Sequence, residues 1–216
     1  MLSEVPLEPT LPTNGLAADS RFYHRLTKPG AGDGFWDLLS AWFHNRGLWL
    51  LATHRMVNFC STHRDLRNPL WWLARLAETP SAYLNMIFSR SEIRGDCQIE
   101  CPVYLSNRGY IICGAQSIGA GSVVHDHCTF GFAVADRKEG RPVIGRDVWI
   151  GPGCIIAGTL TVGDGATILP GSFLTYSVPP RSVVKGNPAR VVRENFDNTE
   201  LRRTLAVITD VPPPHA

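Results

Sequence analysis

Apolar residues in the second half of the chain recur every six positions, with one extra residue before Ile112, a period that fits neither an amphipathic α-helix nor an alternating β-strand. They form two blocks, first Ile93, Ile99, Leu105, Ile112, Ile118, Val124 and Phe130, then Ile144, Ile150, Ile156, Val162, Ile168 and Leu174. The residue four positions on is often small, as at Cys97, Cys128 and Cys154. In a triangular coil of three hexads, the apolar residue points inward and the small residue fits a corner. The pattern therefore predicts a hexapeptide-repeat solenoid, a left-handed parallel β-helix, over residues 91–190.

The two blocks are separated by residues 131–143, which read GFAVADRKEGRPV. This stretch is polar and charged and contains Gly and Pro, so it is predicted to leave the prism as a protruding loop. Its charged side chains either contact an acceptor or a phosphate or are simply solvated. They are Asp136, Arg137, Lys138, Glu139 and Arg141.

The residues before and after the repeat follow other patterns. Residues 1–30 are rich in Pro, Gly and Thr without an apolar period, which predicts an N-terminal arm. Residues 31–90 have apolar and aromatic residues at helical spacing and are predicted to form an α-helical region. Its helices are expected over about 33–47, 48–63, 69–78 and 81–89. Residues 191–216 are predicted to contain a short C-terminal helix over 194–206, capped by Asn198, and a tail.

Composition and charge narrow the class of protein. The formal net charge of the 216-residue chain is only +2 and no basic run occurs, which argues against nucleic-acid binding. The apolar runs are too short to span a bilayer, and the first residues do not resemble a signal peptide, so a cytoplasmic protein is expected. Five of the six Trp lie in the helical region, which favours packing on a neighbouring domain over a membrane-surface helix. The six Cys include no CxxC pair, so small buried residues are favoured over disulfides or zinc ligands.

The second block resembles the hexapeptide-repeat acyltransferases over residues 144–194. The resemblance rests on Asp147-Val148-Trp149-Ile150-Gly151, Val178-Pro179-Pro180 and Gly186-Asn187-Pro188-Ala189-Arg190. Over 48–194 the chain is most similar to the serine acetyltransferase branch, and closest to the colanic-acid type of exopolysaccharide O-acetyltransferase. This resemblance implies an acetyl-CoA-dependent O-acetyltransferase, a homotrimer, and a sugar hydroxyl of an exopolysaccharide or glycoconjugate precursor as acceptor. The alternatives are serine or another small hydroxyl or amine acceptor, and a non-catalytic β-helix scaffold.

The resemblance also shows where the chain departs from serine acetyltransferases. These enzymes carry a catalytic His in a motif like D-H-G-T-G, where this chain has Ser106-Asn107-Arg108-Gly109-Tyr110. A second active-site His precedes a Pro in their loop, and this chain has Arg141-Pro142 there. Asn107 or Ser106 thus replaces the first His, and the mechanism of the serine enzymes is not expected to carry over unchanged.

Acyl transfer to a hydroxyl needs a general base, and histidine is the usual one near neutral pH. His125 and His127 are the histidines of the repeat, and His125 matches an I-H-x-x-V-T-I-G pattern of many relatives. His125 is predicted as the base, with His127 as the alternative and Asp126 orienting one of them. The other possibility is a pair of surface or interface histidines. A zinc site is not expected, since no third ligand is placed to complete it.

Coenzyme A is expected along the coil edges of the C-terminal block, where small residues allow the pantetheine arm to approach the backbone. By similarity to the family's cofactor positions, the candidates are Gly151, Pro152, Pro170, Thr175, Arg190 and Arg193. Trp149 is placed either along the thioester slot or in an aromatic wall of the prism. Arg190 either meets a phosphate or clamps the last coil.

Overall fold

The computed structural model describes residues 15–27, 34–62, 72–73, 75–77, 80–81, 83–84, 87, 90–106, 108–131 and 140–205. The helices with defined bounds in these residues are α1 (Gly15–Thr27), α2 (Phe35–His44), α3 (Arg46–Thr62) and α4 (Thr199–Thr204). The predicted helices over 69–78 and 81–89 lie largely outside the described residues.

Short strands make up the repeat. They are β1 (Glu92–Ile93), β2 (Gln98–Ile99), β3 (Tyr104–Leu105), β4 (Ile112–Cys113), β5 (Ser117–Ile118), β6 (Val123–Val124), β7 (Thr129–Gly131), β8 (Val143–Ile144), β9 (Trp149–Ile150), β10 (Ile155–Ala157), β11 (Thr161–Val162), β12 (Thr167–Ile168), β13 (Phe173–Leu174), β14 (Val183–Gly186) and β15 (Ala189–Arg193). The sheets thus run to Arg193, past the predicted boundary at 190.

From β1 to β10, each strand pairs in parallel with the strand three places later in the chain. Each of these coils therefore adds one strand to each of three sheets. The first sheet has the order β1-β4-β7-β10-β13, the second β2-β5-β8-β11, and the third β3-β6-β9-β12-β14-β15. Only the hairpin pair β14–β15 is antiparallel among the pairings of the described strands. This architecture confirms the predicted parallel β-helix.

The interior of the prism is filled by the residues that the six-residue period selects. Ile118, Ile150, Ile156 and Ile168 are fully buried. Cys97, Cys128 and Cys154 are also fully buried, at the corners where little volume is available. All six cysteines lie in the described residues as free thiols, and all but Cys101 are buried.

Within the predicted N-terminal arm, Gly15–Thr27 form helix α1, which the local sequence pattern did not predict. The hydroxyl of Tyr23 donates to the Leu105 carbonyl oxygen at 2.7 Å and accepts from the Leu105 N–H at 2.7 Å. The buried Asp19 accepts from the Val103 N–H at 3.1 Å and pairs with Arg55 of α3 at 2.7 Å. Contacts with residues distant in sequence stabilise this helix, so the local pattern does not reveal it.

The C-terminal helix is shorter than predicted, and Asn198 occupies its N-cap position without a side-chain capping hydrogen bond. Its side-chain NH₂ instead donates to three backbone carbonyl oxygens, those of Asp147 at 2.9 Å, Gly165 at 3.1 Å and Ala166 at 3.2 Å. Arg202 pairs with Asp147 at 2.6 Å. The segment after the repeat is thereby fastened to the turns that lead into the third sheet.

The predicted loop falls between β7 and β8 in the chain, but residues 132–139, with Asp136, Arg137, Lys138 and Glu139, lie outside the described residues. Arg141 at its C-terminal end donates to Asp96 at 2.8 Å and is mostly buried. Within the described residues, no helix has the length and apolar character needed to cross a membrane.

Candidate active site

The predicted catalytic residues lie in the turns that join the third sheet to the first. The described residues of these turns are 106, 108–111, 125–128, 151–154 and 169–172, which are called the histidine corner below. The coils stack through backbone hydrogen bonds, in which the His125 N–H donates to the Ile150 carbonyl oxygen at 3.0 Å and the Gly151 N–H to that of Ile168 at 2.9 Å. His125 and Gly151 therefore occupy equivalent positions in successive coils.

A column of left-handed residues runs along this corner, two residues before each strand of the first sheet. The strand pairing aligns Glu92, Ile112, Thr129, Ile155 and Phe173. The column is Arg90, Tyr110, His127, Gly153 and Gly171, whose φ angles are 49°, 61°, 60°, 71° and 68°. A left-handed backbone favours Gly. Arg90, Tyr110 and His127 therefore carry side chains at positions where Gly is the favoured residue.

His127 is exposed and oriented. Its Nδ1 lies 3.0 Å from Oδ2 of Asp126, and 57% of its side chain is accessible. Its ring stacks on that of Tyr110, with centroids 4.7 Å apart and planes within 12°. When Nδ1 carries the proton and donates to Asp126, the Nε2 lone pair is left to accept a proton, which is the arrangement of an oriented general base.

His125 lies in a different environment, because it is only 6% exposed. Its ring lies 5.1 Å from that of Trp149, and its Nε2 is buried without a hydrogen-bond partner among the described residues. Burial lowers the pKa of His125, Asp126 opposes this shift and Arg108 adds to it. His125 is therefore neutral near pH 7 but, unlike His127, does not offer its Nε2 at the surface.

Three of the predicted cofactor residues, Gly151, Pro152 and Pro170, lie on the histidine corner in the coils after His127. A Cβ on Gly151 would lie 2.8 Å from the Pro170 backbone nitrogen, so this Gly permits close stacking of the coils. Gly153 and Gly171 are different, since a Cβ on Gly153 would meet only Gly171 atoms at 3.9 Å and one on Gly171 nothing within 4 Å. Gly153 and Gly171 therefore leave open space on this corner in the two coils that follow His127, and are called the glycine floor below.

The remaining predicted cofactor residues lie elsewhere. Thr175 is on the corner that joins the first sheet to the second, and Trp149 is fully buried in β9. Trp149 thus forms part of a packed wall and does not face an open slot in this chain. Arg190 and Arg193 lie on β15, where Arg190 donates to the Ala189 carbonyl oxygen at 2.8 Å and Arg193 lies 5.3 Å over the Phe196 ring.

The positions that hold histidine in serine acetyltransferases carry other chemistry here. Ser106 is buried one coil before His125, and its hydroxyl accepts from the Arg108 N–H at 3.3 Å. Asn107 lies outside the described residues. No group of three or more His, Cys, Asp or Glu suited to a metal ion occurs in the described part of the chain.

Sequence reasoning missed four residues of the left-handed column, namely Arg90, Tyr110, Gly153 and Gly171. The available signal was the recurrence of Gly two residues before a strand of the first sheet. A non-Gly residue at that position, such as His127, points to a side chain that is retained despite its unfavourable backbone angle.

Comparisons with known proteins agree with this architecture. The family model described as bacterial transferase hexapeptide (six repeats) matches residues 141–175. A serine acetyltransferase of Bacillus subtilis is 30% identical over 160 residues, which cover 74% of this chain and 69% of the relative. A chloramphenicol acetyltransferase of Agrobacterium fabrum is 47% identical over 66 residues, which cover 31% of this chain and only 32% of the relative.

Among solved structures, a serine acetyltransferase in complex with cysteine superposes with a TM-score of 0.71. The match covers 90% of this chain and 70% of that chain at 17% identity, so it supports the shared fold alone.

Proposed function

Since the chain belongs to the hexapeptide-repeat acetyltransferase family, in which it is serine acetyltransferase-like, we propose that it transfers the acetyl group of acetyl-CoA to a hydroxyl acceptor at the histidine corner. The observation that carries the proposal is the oriented pair of His127 and Asp126 beside the open floor of Gly153 and Gly171. A base and a slot for an extended arm are the two features that this transfer requires.

His127 is proposed as the general base. Its Nε2 accepts the proton of the acceptor hydroxyl as the oxygen attacks the thioester carbonyl, and returns that proton to the thiolate when the C–S bond breaks. Asp126 holds the Nδ1–H at 3.0 Å and stabilises the imidazolium formed between these steps. His125, predicted as the base from sequence, is assigned a supporting role, because its Nε2 is buried against Trp149.

Acetyl-CoA supplies the activated acyl group. The pantetheine arm is proposed to follow the floor of Gly153 and Gly171, with Pro152 and Pro170 beside it. These glycines leave open space next to the backbone, which a narrow arm needs. Arg190 and Arg193 on β15 are the cations proposed to meet its phosphates.

A small hydroxyl compound is proposed as the acceptor. The names of the relatives, serine acetyltransferase and chloramphenicol acetyltransferase, favour it over the exopolysaccharide or glycoconjugate precursor predicted from sequence. Serine is the first acceptor to test, although Asn107 or Ser106, and Arg141, replace the histidines that the resemblance to the serine enzymes implies. The colanic-acid likeness is the sole support for the sugar acceptor.

A homotrimer is proposed as the working assembly. The outer face of the first sheet, which begins at the histidine corner, carries Ile112 and Ile155, exposed by 54% and 44%. Thr129 and Phe173 flank them on the same face, half-buried. A neighbouring copy covering this apolar stripe would also border the histidine corner.

Release of free thiol from acetyl-CoA tests the function, with serine, chloramphenicol and galactose as separate acceptors and an acceptor-free reaction as the control for hydrolysis. Binding of CoA is measured alongside by calorimetry. The proposal predicts CoA binding and acceptor-dependent thiol release with at least one acceptor. Absence of thiol release with all three acceptors would contradict it, and absence of CoA binding as well would favour the non-catalytic scaffold.

A further inference from the structure

We infer that Tyr110 and Arg90 are positioning residues that hold the imidazole of His127 in its reactive orientation. The inference rests on the proposed function, since it concerns the same base. The stacking of successive coils places Tyr110 beside His127 and Arg90 beside Tyr110.

The ring of Tyr110 contacts both a cation and an imidazole. One face stacks on His127, with centroids 4.7 Å apart and planes within 12°. The guanidinium carbon of Arg90 lies 5.7 Å from the centre of the same ring, a cation–π distance. Arg90 also donates from Nη1 to the Tyr110 hydroxyl oxygen at 3.0 Å. Tyr110 is therefore held at its ring and at its hydroxyl.

The backbone shows that these side chains occupy demanding positions. Arg90, Tyr110 and His127 have φ angles of 49°, 61° and 60°, whereas the next two coils place Gly at the equivalent positions. A left-handed backbone costs a non-Gly residue about 1 kcal/mol or more, and such strain is often retained at functional sites. The side chains of this column thus form a ladder that ends at His127, and the glycine floor follows in the next two coils.

The ladder constrains His127 from two directions. Asp126 fixes the imidazole at Nδ1, which lies 3.0 Å from Oδ2, and Tyr110 covers one ring face. In the next coil the equivalent position is Gly153, which has no side chain to cover the other face. The stack on Tyr110 therefore limits rotation of the imidazole on one side, and Gly153 leaves room for an acceptor on the other.

Nuclear magnetic resonance of the full chain tests the stacking directly. The Cε1–H and Cδ2–H signals of His127, assigned by their loss in His127→Gln, should be shifted upfield by the Tyr110 ring. Tyr110→Leu should remove this shift, and Tyr110→Phe should keep it. Tyr83→Leu is the matched control, because Tyr83 is an exposed aromatic residue of the helical region.

Kinetics with acetyl-CoA and serine, chloramphenicol or galactose test the role in the reaction. Tyr110→Leu should lower kcat about 10- to 100-fold, as expected for a misplaced base, while the KM for acetyl-CoA stays within about twofold. Tyr110→Phe should restore most of kcat, Arg90→Met should lie between, and Tyr83→Leu should match the wild type.

The outcomes separate the two claims. If Tyr110→Leu keeps the wild-type kcat while His127→Gln loses it, the positioning role is overturned and the proposed function stands. A wild type that transfers acetyl to none of the three acceptors overturns the proposed function, and the positioning role with it. Equal losses in Tyr110→Leu and Tyr110→Phe would also contradict positioning, because the stack alone should suffice.

Discussion

The imidazole of His125 and the indole of Trp149 lie with their ring centroids 5.1 Å apart and their planes at 60°. His125 Nε2 and Trp149 Nε1 are both buried without a hydrogen-bond partner among the described residues. A buried donor without a partner costs about 1–3 kcal/mol of stability. The two rings therefore pack together despite the free-energy cost of burying Nε1 of Trp149 without a partner.

Trp149→Phe separates the packing of this ring from its unpartnered N–H. The variant keeps most of the apolar contact and removes the buried donor, so its stability should stay within about 1 kcal/mol of the wild type. Trp149→Ala should lose about 3–5 kcal/mol through the cavity it creates. Urea unfolding measures both. Equal losses in the two variants would show that Nε1 has a partner, such as a buried water.

Gly153→Ala tests the proposed path of the pantetheine arm. Its φ of 71° makes any side chain strained, and the new methyl would stand on the open floor. The KM for acetyl-CoA should rise about 10-fold, the cost of about 1.4 kcal/mol of lost binding. Gly165→Ala is the control, since Gly165 has a φ of 68° on another corner. It should lose similar stability and leave this KM unchanged. A raised KM in both variants would point to a general effect of backbone strain.

His54 makes stability depend on pH. Burial lowers its pKa from 6.5 to about 4, and its Nε2 lies 2.9 Å from the Cys97 carbonyl oxygen. Because the unfolded chain binds the proton more readily, His54 destabilises the folded state as pH falls from about 6.5 toward 4. The loss at pH 5 relative to pH 7.5 should be about 2 kcal/mol. Denaturant unfolding of wild type and His54→Gln at both pH values checks this. The same pH dependence in the variant would exclude His54 as the cause.

Arg55→Met should release helix α1 from the prism. Asp19 is fully buried, and Arg55 is its ionic partner at 2.7 Å. Desolvation already raises the pKa of Asp19 against the opposing influence of Arg55. Loss of one partner of a buried pair costs about 3–5 kcal/mol. Arg146→Met is the matched control, because Arg146 pairs with Glu100 at the surface and should cost at most about 1 kcal/mol. Similar losses in the two variants, measured by unfolding and limited proteolysis, would contradict this account.

The parallel β-helix could be predicted because its period is local. Ile150, Ile156 and Ile168 follow the six-residue period because each position on it points into the prism, where these side chains are buried. Helix α1 could not be predicted, since Tyr23 and Leu105 are 82 positions apart and their hydrogen bonds exist only after folding. Asn198 was expected to cap a helix, but carbonyl groups presented by distant turns bind its side chain instead.

The histidines of the site could also be found from the sequence, because they occur in a coil next to the loop. Their different environments could not, since the exposure of His127 and the burial of His125 depend on Trp149 and Tyr110 from other coils. Arg90 and Tyr110 meet only through coil stacking, so no sequence motif contains both.

The most direct measurement of the central claim is kcat for acetyl transfer in His127→Gln and His125→Gln, with folding of each variant checked by circular dichroism. If His127 is the base, its variant should lose about 10²–10⁴-fold in kcat with acetyl-CoA binding unchanged, while His125→Gln keeps most of the activity. An active His127→Gln beside an inactive, folded His125→Gln would contradict the account and assign the base to His125.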